Sequence, residues 1–575
     1  MTDTPQQKTE IRTYGGEKIE VILRKAIQPD DSNSCPEFKP SICVENGICY
    51  ERDVAVKMRD GVTIYTDVYR PEGVTNVPAI IAWSPYGKRA GYLGISRHGV
   101  PPDAVSPMAK FEAPDPKYWC HSGYAIINPD VRGAFHSEGD IQQFNSKEGQ
   151  DGYDLIEWVA AQRWCNGKVS LSGNSWLGIS QWFIAAEKPP HLACIAPWEG
   201  FDDFYRDSLF QGGVPETGFF GVAQSRFCGP GYFEDIPVMI RKYPMINAYW
   251  EDKIAKVEKI EIPAYVVSSY NPIHTHGTFD GFCRMASRKK WLRVHNTQEW
   301  PDLYMPENLE DLRRFYDRYL KDIHNGWEFT PRVRISVLDP GGCDIVNRPE
   351  DDWPLPDTQF QKSYLDATTM KLSPELPVNE SLVRYCADDD KGQAVFTMKF
   401  PEDTEITGYI KLRLWVEADG SDDMDLFVYV SKTDAQGNPL LQKVINFPHP
   451  GARGLLRVSH RELDEKRSTP SQPYLTHQRE QLLKPGEIVP VEIGIWPWGM
   501  LWHAGQQLRV AVQGFNLPWL EDVMNTQRED GMMAPGTTRF HYERRNNGYH
   551  VIHTGGKYDS HLLVPWIPPR FPQSS

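Results

Sequence analysis

The run Gly173-Asn174-Ser175-Trp176-Leu177-Gly178 carries the sharpest chemical signal in the sequence. It closes a short apolar run, GKVSLSGNS, and opens a helix-type stretch, SWLGISQWFIAAEK. A serine on a tight strand-to-helix turn has its hydroxyl lifted above the sheet, and small neighbours such as Gly173 are needed because the turn crowds the backbone. The helix start offers N–H groups to an oxyanion, and Trp176, the residue after the serine, is the natural donor. A serine so placed can attack an ester or amide carbonyl and carry an acyl group. The second glycine falls one position later than in G-x-S-x-G. A serine at a helix start also serves as an ordinary N-cap. The preceding strand and a further parallel strand downstream favour the nucleophile.

The surrounding elements fit that placement. DVAVKM and VTIYTDVYR flank Asp60-Gly61, a hairpin signal. VPAIIAWSPYG, YAIINPD, GKVSLSGNS and HLACIAPWEG are short apolar strands, and GYDLIEWVAAQRW has helical spacing. Apolar strands alternating with helices predict a parallel sheet covered on both faces. Residues 201–260 are rich in Phe, Tyr and Gly and read as a mostly helical cap. IPAYVVSSYN and KKWLRVHN return to the sheet, and EDLRRFYDRYLK closes the unit. From VRISVLD onward, short β-type runs separated by turns predict an all-β sandwich or jelly roll. The expected organisation is an N-terminal extension (1–45), an α/β domain in two parts (46–200 and 261–330) with the cap between them, and a C-terminal β domain (331–575).

GNSWLG, Asp130-Val131-Arg132-Gly133, Ser137-Glu138-Gly139 and DLIEWVAAQRWCNGKV, in that family's order, resemble the CocE/NonD hydrolases, the group of cocaine esterase and X-Pro dipeptidyl-peptidase. The resemblance runs from about residue 50 to the end. It implies an α/β-hydrolase domain with an inserted helical cap, followed by a jelly-roll domain. It also implies Ser175 as nucleophile, Tyr86 in SPYGK as second oxyanion donor beside the Trp176 N–H, and His295 in KWLRVH as base. All three positions follow predicted strand ends, where open parallel sheets place their sites. Asp130 and Arg132, in one tight turn, read as a structural pair that pins the loop.

One position departs from that pattern. The acid should follow YVVSSY, where Asn271 stands. An amide can orient an imidazole but cannot stabilise an imidazolium by charge. Asn271 is taken as the orienter, with Asp280, Glu299 or another carboxylate as alternatives. His274 and His276 read as ordinary helix-start histidines. In the cap region Trp198, Phe201, Tyr205, Phe219 and Phe220, with Phe204 nearby, suggest contact with an apolar substrate group.

The chain of 575 residues is too long for one core. Its net charge of −15 argues against a nucleic-acid surface. No run approaches a membrane span, and the polar first thirty residues show no signal peptide. Ten scattered cysteines without a paired CxxC fit thiols of a reduced cytosol; Cys35, Cys43 and Cys49 cluster, but without ligand-spaced histidines. The expected protein is therefore a cytoplasmic enzyme acting on a small molecule, with no cofactor, metal, nucleic-acid or membrane partner; a homo-oligomer is left open. Two rival readings stand beside it. One is non-hydrolytic use of the same site, by acyl transfer, lactonisation or retro-Claisen cleavage. The other is a carbohydrate-binding protein using Trp496, Trp498, Trp502 and Trp519, for which core packing is the ordinary explanation.

Overall fold

The computed structural model describes residues 6–28, 37–89, 99–224, 227–270, 273–389, 391–444, 447–449, 451–516 and 544–569. Two eleven-stranded sheets dominate it. In the first, apolar runs without polar alternation became strands buried on both faces, as β6 (Val77–Ile81) and β7 (Ala125–Asp130) show. β8 (Cys165–Asn174) lies beside β6 on one side and β9 (Leu192–Trp198) on the other. β13 (Ala264–Ser268), β14 (Lys290–Val294) and β15 (Val333–Val337) continue the parallel run. β4 (Ile48–Lys57) and β5 (Thr63–Pro71) form the hairpin expected around Asp60-Gly61. The chain leaves β6 toward β7, then returns to the other side for β8, so the order reverses beside the strand that ends in the serine.

Helices cover both faces. α2 (Ser146–Ala160) and α3 (Trp176–Ala186) pack on one, where Leu155, Ile156 and Ile179 join the larger core. α1 (Pro116–His121) and α9 (Pro306–Leu320) pack on the other through Trp119, Phe315 and Leu320. Strand alternation divides the side chains between these cores: Ile195 faces the first, while Cys194, Ala196 and Trp198 face the second.

Two boundaries differ from the sequence-based expectation. VRISVLD was counted with the C-terminal domain, yet β15 pairs in parallel with β14 after the α9 crossover, and β16 (Ile345–Glu350) adds antiparallel to it. The short β-type run is the same in either sheet; the long helix before it decides which one it joins. The N-terminal extension is also more integrated than a polar tail would be. β1 (Gln7–Tyr14) and β2 (Glu17–Lys25) form a hairpin, with Ile19, Val21 and Leu23 buried, and β2 pairs with a cap strand, Tyr232–Glu234. β3 (Ser41–Glu45) edges the first sheet.

The cap holds the short helices α4 (Gly218–Gln224), α5 (Ile236–Lys242) and α6 (Ala248–Glu251), the strand β12 (Tyr232–Glu234) that pairs with β2, and a two-residue hairpin joining β10 (Phe210–Gln211) to β11 (Val214–Pro215). The second sheet is almost wholly antiparallel, with long strands at Thr404–Asp419 and Val489–Trp502. It meets the first domain where Leu338 exchanges backbone hydrogen bonds with Gly499 and Leu501. Among the described residues, no helix is long and apolar enough to cross a membrane.

Candidate active site

Ser175 sits between β8 and α3 with φ 56° and ψ −120°, a strained backbone for a residue with a side chain. It makes no N-cap bond from its hydroxyl, so the ordinary capping explanation does not apply. Gly173 has φ +127°, and a Cβ there would lie 2.6 Å from the Glu112 carbonyl and 2.5 Å from Leu177. The displaced second glycine has a physical reason too. A Cβ on Gly178 would come within 2.3 Å of the Trp198 carbonyl, so α3 crosses the end of β9 at that residue. Leu177, where the usual motif has glycine, is buried against Ala82 and Ala113.

Trp176 is the first residue of α3, so its backbone N–H has no acceptor within the helix. Its indole donates to Glu148 Oε1 at 2.8 Å, and Trp83 donates to the same oxygen at 2.9 Å. Burial pushes the Glu148 carboxyl up to about 7, and the two indoles and the Phe144 N–H hold it down. Glu148 thus ties the residue after Ser175 to the end of β6. Tyr86, half-buried beyond β6, packs edge-on to Trp176 and Phe111, and its hydroxyl is bonded to the Glu112 carboxyl group.

The imidazole within reach of Ser175 is not the one expected. His274 Nε2 lies 3.4 Å from Ser175 Oγ, and His274 Nδ1 lies 3.4 Å from Glu299 Oε2. His274 precedes α7 (Thr275–Arg284), and Glu299 opens α8 (Glu299–Tyr304). The His274 backbone is fixed by Thr278, whose N–H and hydroxyl both donate to the His274 carbonyl. Phe201 stacks on the His274 ring at 5.9 Å.

His295 does follow β14, and it is buried, but its Nε2 meets Glu199 Oε1 at 2.9 Å, with no hydrogen bond to Ser175. Its Nδ1 lies 3.8 Å from Asp302, which is held bidentately by Arg293. The expected Ser175–His295 contact is therefore corrected. Glu199, directly after β9, claims the His295 ring, and the loop from β13 into α7 brings His274 over the serine instead. Asn271 lies outside the described residues. Asp280 pairs with Arg284 on the outer side of α7. Glu299 is the proposed alternative acid that the fold brings to a histidine. His276 points away from Ser175 to Asp207 at 2.7 Å, in a cleft of about 140 Å³ also lined by Asp203, Tyr474 and Trp496.

Three buried glutamates surround these rings. Burial, then the Glu299 carboxylate, raises Glu112 well above the usual carboxyl range; Trp300 donates to it at 2.7 Å. Burial also raises Glu199, against the stabilising His295. Glu112 and Glu199 were missed because they carry no motif. Glu199 ends a strand in the same sense as Ser175 and His295, and that position was the available signal.

The aromatic residues separate by face. Phe201 lines the His274 side and continues through Phe204 (5.6 Å) to Phe220 (5.0 Å), with Phe219 half-buried at the end. Trp198 does not contribute to that wall, since it alternates into the opposite core against Tyr265. Tyr205 is buried inside the cap, donating to the Pro244 carbonyl and stacking on Phe210. Asp130 and Arg132 do not pair with each other: Asp130 binds Lys88, and Arg132 binds Asp60 and Asp151. Trp496, Trp498 and Trp502 are buried rather than displayed as a sugar platform, and Trp519 lies outside the described residues.

Known proteins share this architecture. Residues 60–227 match the X-Pro dipeptidyl-peptidase (S15) family, and residues 325–563 match the X-Pro dipeptidyl-peptidase C-terminal non-catalytic domain. A crystal structure of a CocE/NonD family hydrolase from Staphylococcus aureus is 32% identical with a TM-score of 0.83, covering 98% of each chain. Cocaine esterase from Rhodococcus sp. is 24% identical over 91% of this chain and 100% of its own length. An aminopeptidase from a marine-sediment thaumarchaeon, at 16% identity, shares the fold with a TM-score of 0.67 over 90% and 97% of the two chains.

Proposed function

The chain belongs to the CocE/NonD hydrolase family, and on that premise we propose that it hydrolyses esters of small apolar acids or alcohols through an acyl-enzyme on Ser175, with His274 as the base. The observation that carries the assignment is the 3.4 Å approach of His274 Nε2 to a serine held at φ 56° on its elbow. A general base must lie within such reach of the proton it takes, and contacts of this kind tighten when substrate binds. His274 takes the Ser175 proton as Oγ attacks the carbonyl. Glu299, facing Nδ1, supplies the counter-charge that an imidazolium needs. The Trp176 N–H and the Tyr86 hydroxyl receive the oxyanion; Tyr86 must turn from Glu112 to do so. His274 then protonates the leaving alcohol and activates the water that releases the acid. Phe201, Phe204 and Phe220 form the apolar wall beside the reacting centre.

A second reading, His295 as base with Glu199 as its acid, rests on the shorter 2.9 Å pair and on the place of His295 after β14. Fluorophosphonate labelling separates the two. Ser175→Ala is expected to abolish labelling and turnover without unfolding, and His274→Ala to slow labelling far more than His295→Ala. Undiminished labelling of Ser175→Ala would remove the nucleophile, and the reverse order of the histidine variants would transfer the base to His295.

A further inference from the structure

Glu199, His274 and Glu299 come from three separate elements: the end of β9, the start of α7 and the first turn of α8. One ligand atom from each lies within 4.8 Å of the others. The residues are only 1%, 5% and 8% exposed. Glu199 Oε2, His274 Nδ1 and Glu299 Oε2 are all buried without a hydrogen-bond partner. A buried polar atom left so is destabilising, and more so when charged. Three such atoms from three elements converging on one point form a donor set of the kind that holds a cation.

The distances agree with that reading. The 3.4 Å between His274 Nδ1 and Glu299 Oε2 is long for a charge-assisted hydrogen bond, about 2.7–2.9 Å. It is close to the edge of a tetrahedron, about 3.3 Å, whose centre lies ~2.0–2.1 Å from nitrogen and oxygen ligands. One imidazole with two carboxylates suits zinc or a similar first-row dication, whereas calcium and magnesium favour all-oxygen shells. Two carboxylates also balance a double positive charge. Glu199 can use Oε2 for the ion while Oε1 keeps His295.

We propose that Glu199, His274 and Glu299 form a zinc-type divalent-cation site, and that its occupation switches esterase activity off. The direction follows from imidazole chemistry and rests on His274 being the base. A metal on Nδ1 takes that nitrogen's lone pair, so the ring proton resides on Nε2. Nε2 then presents an N–H to Ser175 and cannot accept its proton. No proton need leave the neutral ring; it changes nitrogen.

The test uses the metal-stripped full-length chain titrated with Co²⁺. Visible d–d absorption of tetrahedral intensity is expected, displaced by Zn²⁺, with affinity lowered at least about tenfold in both Glu199→Gln and Glu299→Gln. Thermal melts of the two variants identify any that fail to fold, in which case the other isosteric variant carries the test. Zn²⁺ should inhibit hydrolysis of a p-nitrophenyl ester with a midpoint matching cobalt displacement. Absence of the cobalt spectrum, or its persistence unchanged in His274→Ala, would overturn the site while leaving the base assignment to stand on the labelling experiment. Cobalt bound at this site with hydrolysis undiminished would overturn the switch and, with it, His274 as base.

Discussion

Beside Ser175, His274 and His295 are each buried against a carboxylate, Glu299 and Glu199 respectively. At the seam between the cap and the C-terminal domain, His460 and His477 are buried against each other, Nδ1 to Nδ1 at 2.9 Å. The turn of the cap hairpin rests on them: a Cβ on Gly213 would lie 2.5 Å from the His460 ring, and Tyr205 packs edge-on to His477. Burial penalises an imidazolium at the second place, where neither ring is ion-paired to a carboxylate as both are in the first. Burial, then Arg457, lowers His460 to about 4; burial, then Arg206, lowers His477 well below its ordinary value. Glu480 and Asp425 oppose the shift at His460, and Arg545 adds to it. The first pair is set against carboxylates beside Ser175. The second is built to stay neutral, with one ring donating and the other accepting.

The most severe way to break this contrast is to delete one catalytic-site imidazole at a time. His274→Ala should lower kcat/KM by roughly 10⁴–10⁶-fold, the scale seen when a nucleophile loses its base. His295→Ala should cost on the order of 10–100-fold, as removal of an outer supporting partner does. Steady-state kinetics on one ester measures both, and equal losses would mean that the two rings act as a unit. Next in size is Tyr86→Phe. Loss of one oxyanion donor should reduce kcat by about 10²–10³-fold with KM little changed. A fall confined to KM would restrict Tyr86 to substrate binding.

Smaller effects come from the seam and appear in stability rather than turnover. His460 and His477 are depressed in the folded protein and titrate near 6.5 when unfolded. The unfolded chain therefore binds more protons, and stability must fall as pH drops from about 6.5 toward 4. The seam should lose roughly 1–3 kcal/mol over that window, followed as Tm against pH. His477→Gln should flatten that acid limb. At neutral pH it should cost only about 1 kcal/mol, one hydrogen bond's worth. An unchanged limb would show that other groups govern acid unfolding.

Much of the fold was legible because it depends on local patterns. Apolar runs such as VPAII and AIINPD can be buried only in a sheet covered on both faces, and GNSWLG places a strand, a turn and a helix within six residues. The β15 assignment failed because a five-residue β run does not say which sheet it joins. Trp198 was misplaced because one position of strand alternation exchanges the site face for the opposite core.

The sequence alone therefore determined the turn that carries Ser175, the alternation that builds its sheet and the family to which both belong. The choice of histidine was decided only in three dimensions. His274 is 99 residues from Ser175, and His295 is 96 from Glu199. No spacing rule spans such distances; the side chains meet because several strand ends and helix starts converge above one sheet. Which ring faces the serine then depends on which carboxylate holds each imidazole. That competition among buried charges, within a few ångströms, exists only once the chain has closed around it.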